Sequence, residues 1–144
     1  MSNMTARDII TEFVKRCDTA ASGGIADPYA LLDDNVSVMV NGTTPLSGHF
    51  PGLAIVKAIL VDTAKDRVKK ANVSIEEFVG TGDRVATLLK VQAETVDGKI
   101  YNELGDSCGC VFEVKNGKIV EIFFFPDTTL IETVIYNRRY VPNQ

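Results

Sequence analysis

The spacing of hydrophobic and polar positions divides the chain into a helical first half and a second half of period two. Behind Thr5, a residue suited to capping a helix N-terminus, Ile9, Ile10, Phe13, Val14 and Cys17 recur at helical spacing. They predict an amphipathic helix from about Thr5 to Ala20, broken by Ser22-Gly23-Gly24. Asp27 followed by Pro28 pairs an N-cap with a proline at the first helical position, which opens a short helix through Leu32. Asp33-Asp34-Asn35 ends that helix, and Val36 to Val40 reads as a β-branched strand. Asn41-Gly42 turns the chain back into Pro45 to Phe50. After Pro51-Gly52, Leu53, Ile55, Val56, Ile59, Leu60 and Thr63 line one broad face of a further helix ending near Arg67.

From about Lys70 the pattern alternates. Val73, Ile75, Glu77 and Val79 oppose Ser74, Glu76 and Phe78; in the following run Val85, Thr87, Leu89 and Val91 oppose Arg84, Ala86, Leu88 and Lys90. Turn signals separate the arms: Gly82-Asp83, then Asp97-Gly98, then Asn116-Gly117, a dipeptide that readily takes two consecutive positive φ values. Four strands to Phe125 therefore form an antiparallel meander, and Thr128 to Tyr136 reads as a short terminal helix. Helices followed by a run of strands give an α+β architecture. Its form is one curved antiparallel sheet wrapped around N-terminal helices, enclosing a cone-shaped pocket.

Composition narrows the function classes. The 144 residues fit a single domain able to bury a core without staples. Hydrophobic residues make up 45%, charged residues 24%, and the net charge is −4. No basic stripe of the kind that binds nucleic acid is present; Lys65, Arg67, Lys69 and Lys70 cluster at a predicted helix end, where cations complement the dipole. No apolar run reaches the length of a signal peptide or membrane span, so a cytoplasmic protein without membrane contact is expected. Cys17, Cys108 and Cys110 are an odd number, which speaks against a disulfide framework. With one histidine, His49, a zinc site is not expected either, and no cofactor motif is seen.

The element order, together with DDNVSVMVNGTTPLSG (Asp33 to Gly48) and VFEVKNGKIVEIFFFPDT (Val111 to Thr128), resembles the nuclear-transport-factor-2-like superfamily. Within it the chain looks most like the SnoaL-like and ketosteroid-isomerase-like branch. The resemblance implies the cone fold and a pocket for a small, largely hydrophobic molecule. Ketosteroid isomerases carry a Tyr on the first helix, a base Asp at the end of the first strand and a protonated Asp on the long hairpin arm. The matching positions here are Phe13, Met39 and Cys110, none of which can do that work. The Asp-Arg-Asp set of limonene-epoxide hydrolases is also missing, since Lys99 to Phe112 contains no Arg.

Other residues remain to carry chemistry. Asp106 shares strand parity with Cys108, Cys110 and Phe112, a face that the resemblance points into the cone. An acid in an apolar cavity suits general acid–base work. The other reading is a bulge at Gly105 that turns Asp106 to solvent. Asp127 matches the functional acid that SnoaL-like cyclases often place after the last strand, and it equally matches a helix N-cap. His49 falls near a cavity mouth or on an exposed turn; Tyr29, Asn41 and Tyr101 are polar-tipped groups able to orient a ligand. With Phe13, Cys17, Met39, Cys108, Cys110 and Phe124 they make up the expected pocket wall.

Two functions follow as expectations. One is a cofactor-independent isomerase, cyclase or lyase using Asp106 and Asp127. The other is a noncatalytic ligand-binding or dimerisation module that has lost the isomerase residues. In Phe123-Phe124-Phe125 parity sends Phe124 inward with Ile122, and Phe123 and Phe125 outward. An outer face bearing two phenylalanines predicts a back-to-back homodimer.

Overall fold

The computed structural model describes residues 4–139; within its second helix the side chains of residues 60–65, among them Leu60, Thr63 and Lys65, lie outside the described residues. Helix α1 (Ala6–Ala21) starts with a reciprocal cap. The Thr5 hydroxyl accepts from the Asp8 amide at 3.2 Å, and the Asp8 carboxylate accepts from the Thr5 amide at 3.1 Å. Asp27 caps a single 3₁₀ turn over Pro28–Leu31 by accepting from the Tyr29 amide.

Strand β1 (Leu32–Val40) begins four residues before the expected Val36. The Asp33-Asp34-Asn35 run does not separate helix from strand but bulges within the strand. Asp33 accepts from the Asn35 amide at 2.9 Å, while Leu32 and Val36 on either side both enter the core. The return to β2 (Gly48–Pro51) is a seven-residue loop rather than a tight Asn41-Gly42 turn, held by the Thr44 and Ser47 hydroxyls at 2.8 Å. Gly52, at φ 94°, turns the chain into α2 (Leu53–Arg67), on which Val56 is buried and Ile55 is exposed.

The remaining strands are β3 (Val68–Val79), β4 (Arg84–Thr95), β5 (Ile100–Tyr101), β6 (Ser107–Lys115) and β7 (Lys118–Phe125). Asn116 and Gly117 take φ of 53° and 77° at the β6–β7 turn, the pair of positive values a type I′ hairpin requires. The sheet order is β2-β1-β7-β6-β4-β3, with β5 beside β4. Among the described residues the pairings are antiparallel except β1 with β7, which joins the N-terminal hairpin to the meander. A bulge between Ile75 and Glu77 reverses the face of the rest of β3, so Phe78 packs inward and Val79 is left exposed. The last helical segment, α3 (Thr128–Leu130), widens into a π turn over Ile131–Ile135.

Helix α1 lies on the concave face. Asp18 accepts from the Val73 amide at 2.9 Å near one end, and the Arg7 guanidinium stacks over Phe78 near the other. The helix thus runs antiparallel to β3 and β6, and Phe13 meets Phe112 edge-on with ring centroids 6.1 Å apart. Phe112 is 1% exposed, and truncating such a residue to alanine costs about 3–5 kcal/mol. Ile10, Val36, Val85 and Ile119 complete the centre of this core. A second, smaller cluster joins Ala93 and Tyr101 to Ile131 and Ile135 beneath the C-terminal segment. The result is an α+β cone with an open, curved sheet. Among the described residues no helix is long and apolar enough to cross a membrane.

Candidate functional site

The cone's rim carries a cleft of about 190 Å³ where β5, the start of β6 and the end of β7 meet. Its polar lining is Tyr101, Asn102, Asp106, Ser107, Cys108 and Asp127; Val91, Phe125 and Pro126 form its apolar side. Asp106 and Asp127, twenty-one positions apart in sequence, therefore line one cleft.

An irregularity in the third arm of the meander makes this possible. Tyr101 pairs with Ala93 and Ser107 pairs with Lys90, so residues 102–106 span only Val91 and Gln92 on β4. The five residues are three more than a regular ladder needs. An odd insertion reverses face parity, which places Tyr101 on the same inner face as Cys108. Strand alternation alone would set them on opposite faces, which is why no sequence pattern joins Tyr101 to Asp106. The excess chain turns at Asn102 (φ 57°) and at Gly105 (φ 73°). Asp106 is exposed at the edge of the cleft rather than sunk in an apolar cavity, in line with the second of its two readings, a bulge at Gly105 that turns it to solvent.

Asp127 caps the last helical segment, accepting from the Leu130 amide through Oδ1 at 3.0 Å. Tyr101 is 6% exposed, and burial pushes its phenol up to about 12. The Asp127 carboxylate adds to that rise, while a hydrogen bond from the Asp127 main chain opposes it. The Cys108 thiol donates to the Leu89 carbonyl at 3.5 Å and is raised by burial.

Other expected wall residues lie elsewhere. Phe13 and Cys110 are core groups beneath α1, and burial pushes the Cys110 thiol well up. Cys17, one turn beyond Phe13 on α1, has its thiol pushed up to about 12 by burial, with Asp18 adding to the shift. Tyr29 packs at the edge of the same core with the Lys57 ammonium 5.2 Å from its ring centre; burial raises its phenol too. Phe124 faces inward against the core, and its carbonyl accepts from the Asn41 amide at 2.9 Å.

Met39 and His49 are not in the cleft. They pair across β1 and β2, and Met39 also pairs with Phe123, so both lie on the convex face. The inward neighbour of Met39 is Val38, paired with core residue Ile122. His49 shares a 2.8 Å hydrogen bond with the Ser37 hydroxyl on that outer surface.

No family model matches the chain, and no curated protein matches it. Solved structures do. A nuclear-transport-factor-2-like protein of unknown function from Burkholderia pseudomallei superposes with a TM-score of 0.74 at 19% identity, covering 94% of this chain and 98% of its own. TerC, co-crystallised with polyporic acid, gives a TM-score of 0.72 at 18% identity over 91% and 98% of the two chains. A protein from Jannaschia described as a SnoaL-like polyketide cyclase gives 0.67 at 14% identity over 96% and 98%. Alignments this complete at such low identity establish architecture and not activity. The helix-backed, open cone of this chain is the nuclear-transport-factor-2-like fold.

Proposed function

We propose that the chain binds a small, largely hydrophobic molecule at the rim cleft and acts on it as a cofactor-independent isomerase, cyclase or lyase. The observation that carries this reading is the convergence of Asp106 and Asp127 with Tyr101 and Cys108 around one cleft. Asp106 stands at the open edge and serves as the proton-accepting group. Tyr101, held protonated by burial, donates a hydrogen bond to the oxygen on which charge develops. Asp127, which lines the same cleft, relays or returns the proton. Val91 and Pro126 supply the apolar contact that orients a hydrophobic substrate. TerC was co-crystallised with polyporic acid and the Jannaschia protein is described as a SnoaL-like polyketide cyclase, which supports a small organic ligand and cyclase-type chemistry as the classes to test.

A noncatalytic module is the second reading. It is favoured by Phe13 and Cys110, which fill with a packed core the interior positions that the isomerase Tyr and protonated Asp would occupy. Under both readings the protein is a cytoplasmic homodimer joined through its convex sheet face.

Turnover and deuterium incorporation from D₂O, measured on a panel of β,γ-unsaturated ketones and hydroxyquinones, separate the two readings. Exchange that disappears in Asp106→Asn, with the melting temperature unchanged, supports the enzyme. Saturable binding without exchange in the wild type selects the binding module, and no binding at all refutes the cleft as a ligand site.

A further inference from the structure

We infer that Asn102 is the positioning residue of the rim cleft: its carboxamide takes the place of the ladder that the inserted residues interrupt, and so fixes Asp106 at the cleft's edge. Three hydrogen bonds support this. Asn102 Nδ2 donates to the Val91 carbonyl on β4 at 2.9 Å and to the Asp106 carbonyl at 2.8 Å. Its Oδ1 accepts from the Asp106 amide at 3.0 Å. Both side-chain donor protons and the acceptor are used, which neither a carboxylate nor a hydroxyl can reproduce. Asn102 is 7% exposed, so the polar side chain is buried at a position where an unmet group would be costly.

The main chain is tied down as well. The Asn102 carbonyl accepts from the Gln92 side chain at 3.1 Å and from the Gly105 amide at 3.0 Å. Asparagine is among the few non-glycine residues that adopt the left-handed conformation found here, so one side chain satisfies both the turn and the clamp. Tyr101 precedes the clamp and Asp106 is held by it. Their relative placement in the cleft is therefore set by Asn102.

The importance of this clamp for chemistry rests on the cleft reading above; the clamp itself does not, and its test needs no substrate. Asn102→Gly keeps the backbone conformation and removes the carboxamide. Residue-resolved hydrogen exchange should show the Asp106 amide exchanging at least tenfold faster. Alkylation of Cys108 by iodoacetamide, followed peptide by peptide, should rise at least fivefold. The Val85 and Phe112 amides should keep their wild-type rates. A uniform acceleration through β4 and β6, or an unchanged Asp106 amide, overturns the proposal. If Asn102→Gly fails to fold, the wild type decides. The Asn102 carboxamide protons must exchange at least tenfold more slowly than those of exposed Asn41, and equal rates overturn the clamp. A confirmed clamp with an inert Asp106→Asn comparison would refute the enzyme reading and leave this inference standing.

Discussion

Phe123 and Phe125 stack face to face on the convex side of the sheet, with ring centroids 4.6 Å apart and planes within 3°. Phe123 is one member of an apolar row that crosses the sheet. Register aligns Met39 on β1, Phe123 on β7, Val111 on β6, Ala86 on β4 and Val79 on β3. Met39 is 36% exposed, Phe125 40% and Val79 53%. Arg84, bridging Glu113 at 3.6 Å and Glu121 at 3.3 Å, edges the row with charge. An apolar centre with a charged rim has the anatomy of a protein interface.

The wild type should therefore sediment as a dimer at micromolar concentration. Phe123→Asp, chosen because Phe123 is not among the cleft residues, places a carboxylate in the middle of the row. It should weaken association by roughly a hundredfold or more, since an unpaired charge in a desolvated contact is strongly unfavourable. Sedimentation equilibrium measures the change; a monomeric wild type would refute the interface.

Alkaline pH offers a second test, through the buried acids. The Cys17 thiol moves from 9.0 to about 12 in the folded protein, and the Tyr101 phenol from 10.0 to about 12. Each raised group keeps a proton in the native state that the unfolded chain would release. Their stabilisation is thus complete below about pH 9 and is lost as pH rises toward 12. Urea midpoints should hold level from pH 7 to 8.5 and fall steadily from pH 9 to 11. Cys17→Ala, less stable at neutral pH because of its cavity, should show a shallower fall over the same range. Parallel curves for the two proteins would show that the Cys17 thiol does not contribute.

Much of this fold is legible where a local rule and the tertiary structure agree. The Thr5 cap, the Asp27-Pro28 turn and the Asn116-Gly117 hairpin each depend on residues within one turn of one another. The inward parity of Cys108, Cys110 and Phe112 holds because β6 runs without interruption from Ser107 through Glu113. Legibility fails at bulges. Counting from the Asp33-Asp34 pair to Met39 passes through the irregularity in β1, where the count no longer specifies a face. Tyr101 stands seven residues before Cys108 and joins it only through the three-residue excess at 102–106. The signal for that excess was present as a polar, glycine-containing stretch, Asn102 to Asp106, between two strand-like runs. An exposed Asp106 is one of two readings of that stretch; what the stretch does not show is that its asparagine is buried.

Asp127 has two separable roles, and its substitutions can tell them apart. Its carboxylate caps the final helical segment through the Leu130 amide, and the residue also lines the cleft. Asn retains a capping oxygen but has no carboxylate; Ala retains neither. Asp127→Ala should lower stability by about 1 kcal/mol, the usual cost of losing a cap, and Asp127→Asn by only a few tenths. Urea unfolding measures both. If the carboxylate moves a proton, Asp127→Asn should lose deuterium exchange into substrate despite its near-native stability, as should Asp106→Asn. Exchange that survives in Asp127→Asn and falls in Asp127→Ala only in proportion to stability would assign Asp127 to the helix alone. Asp106 would then be the single proton-handling acid of the cleft.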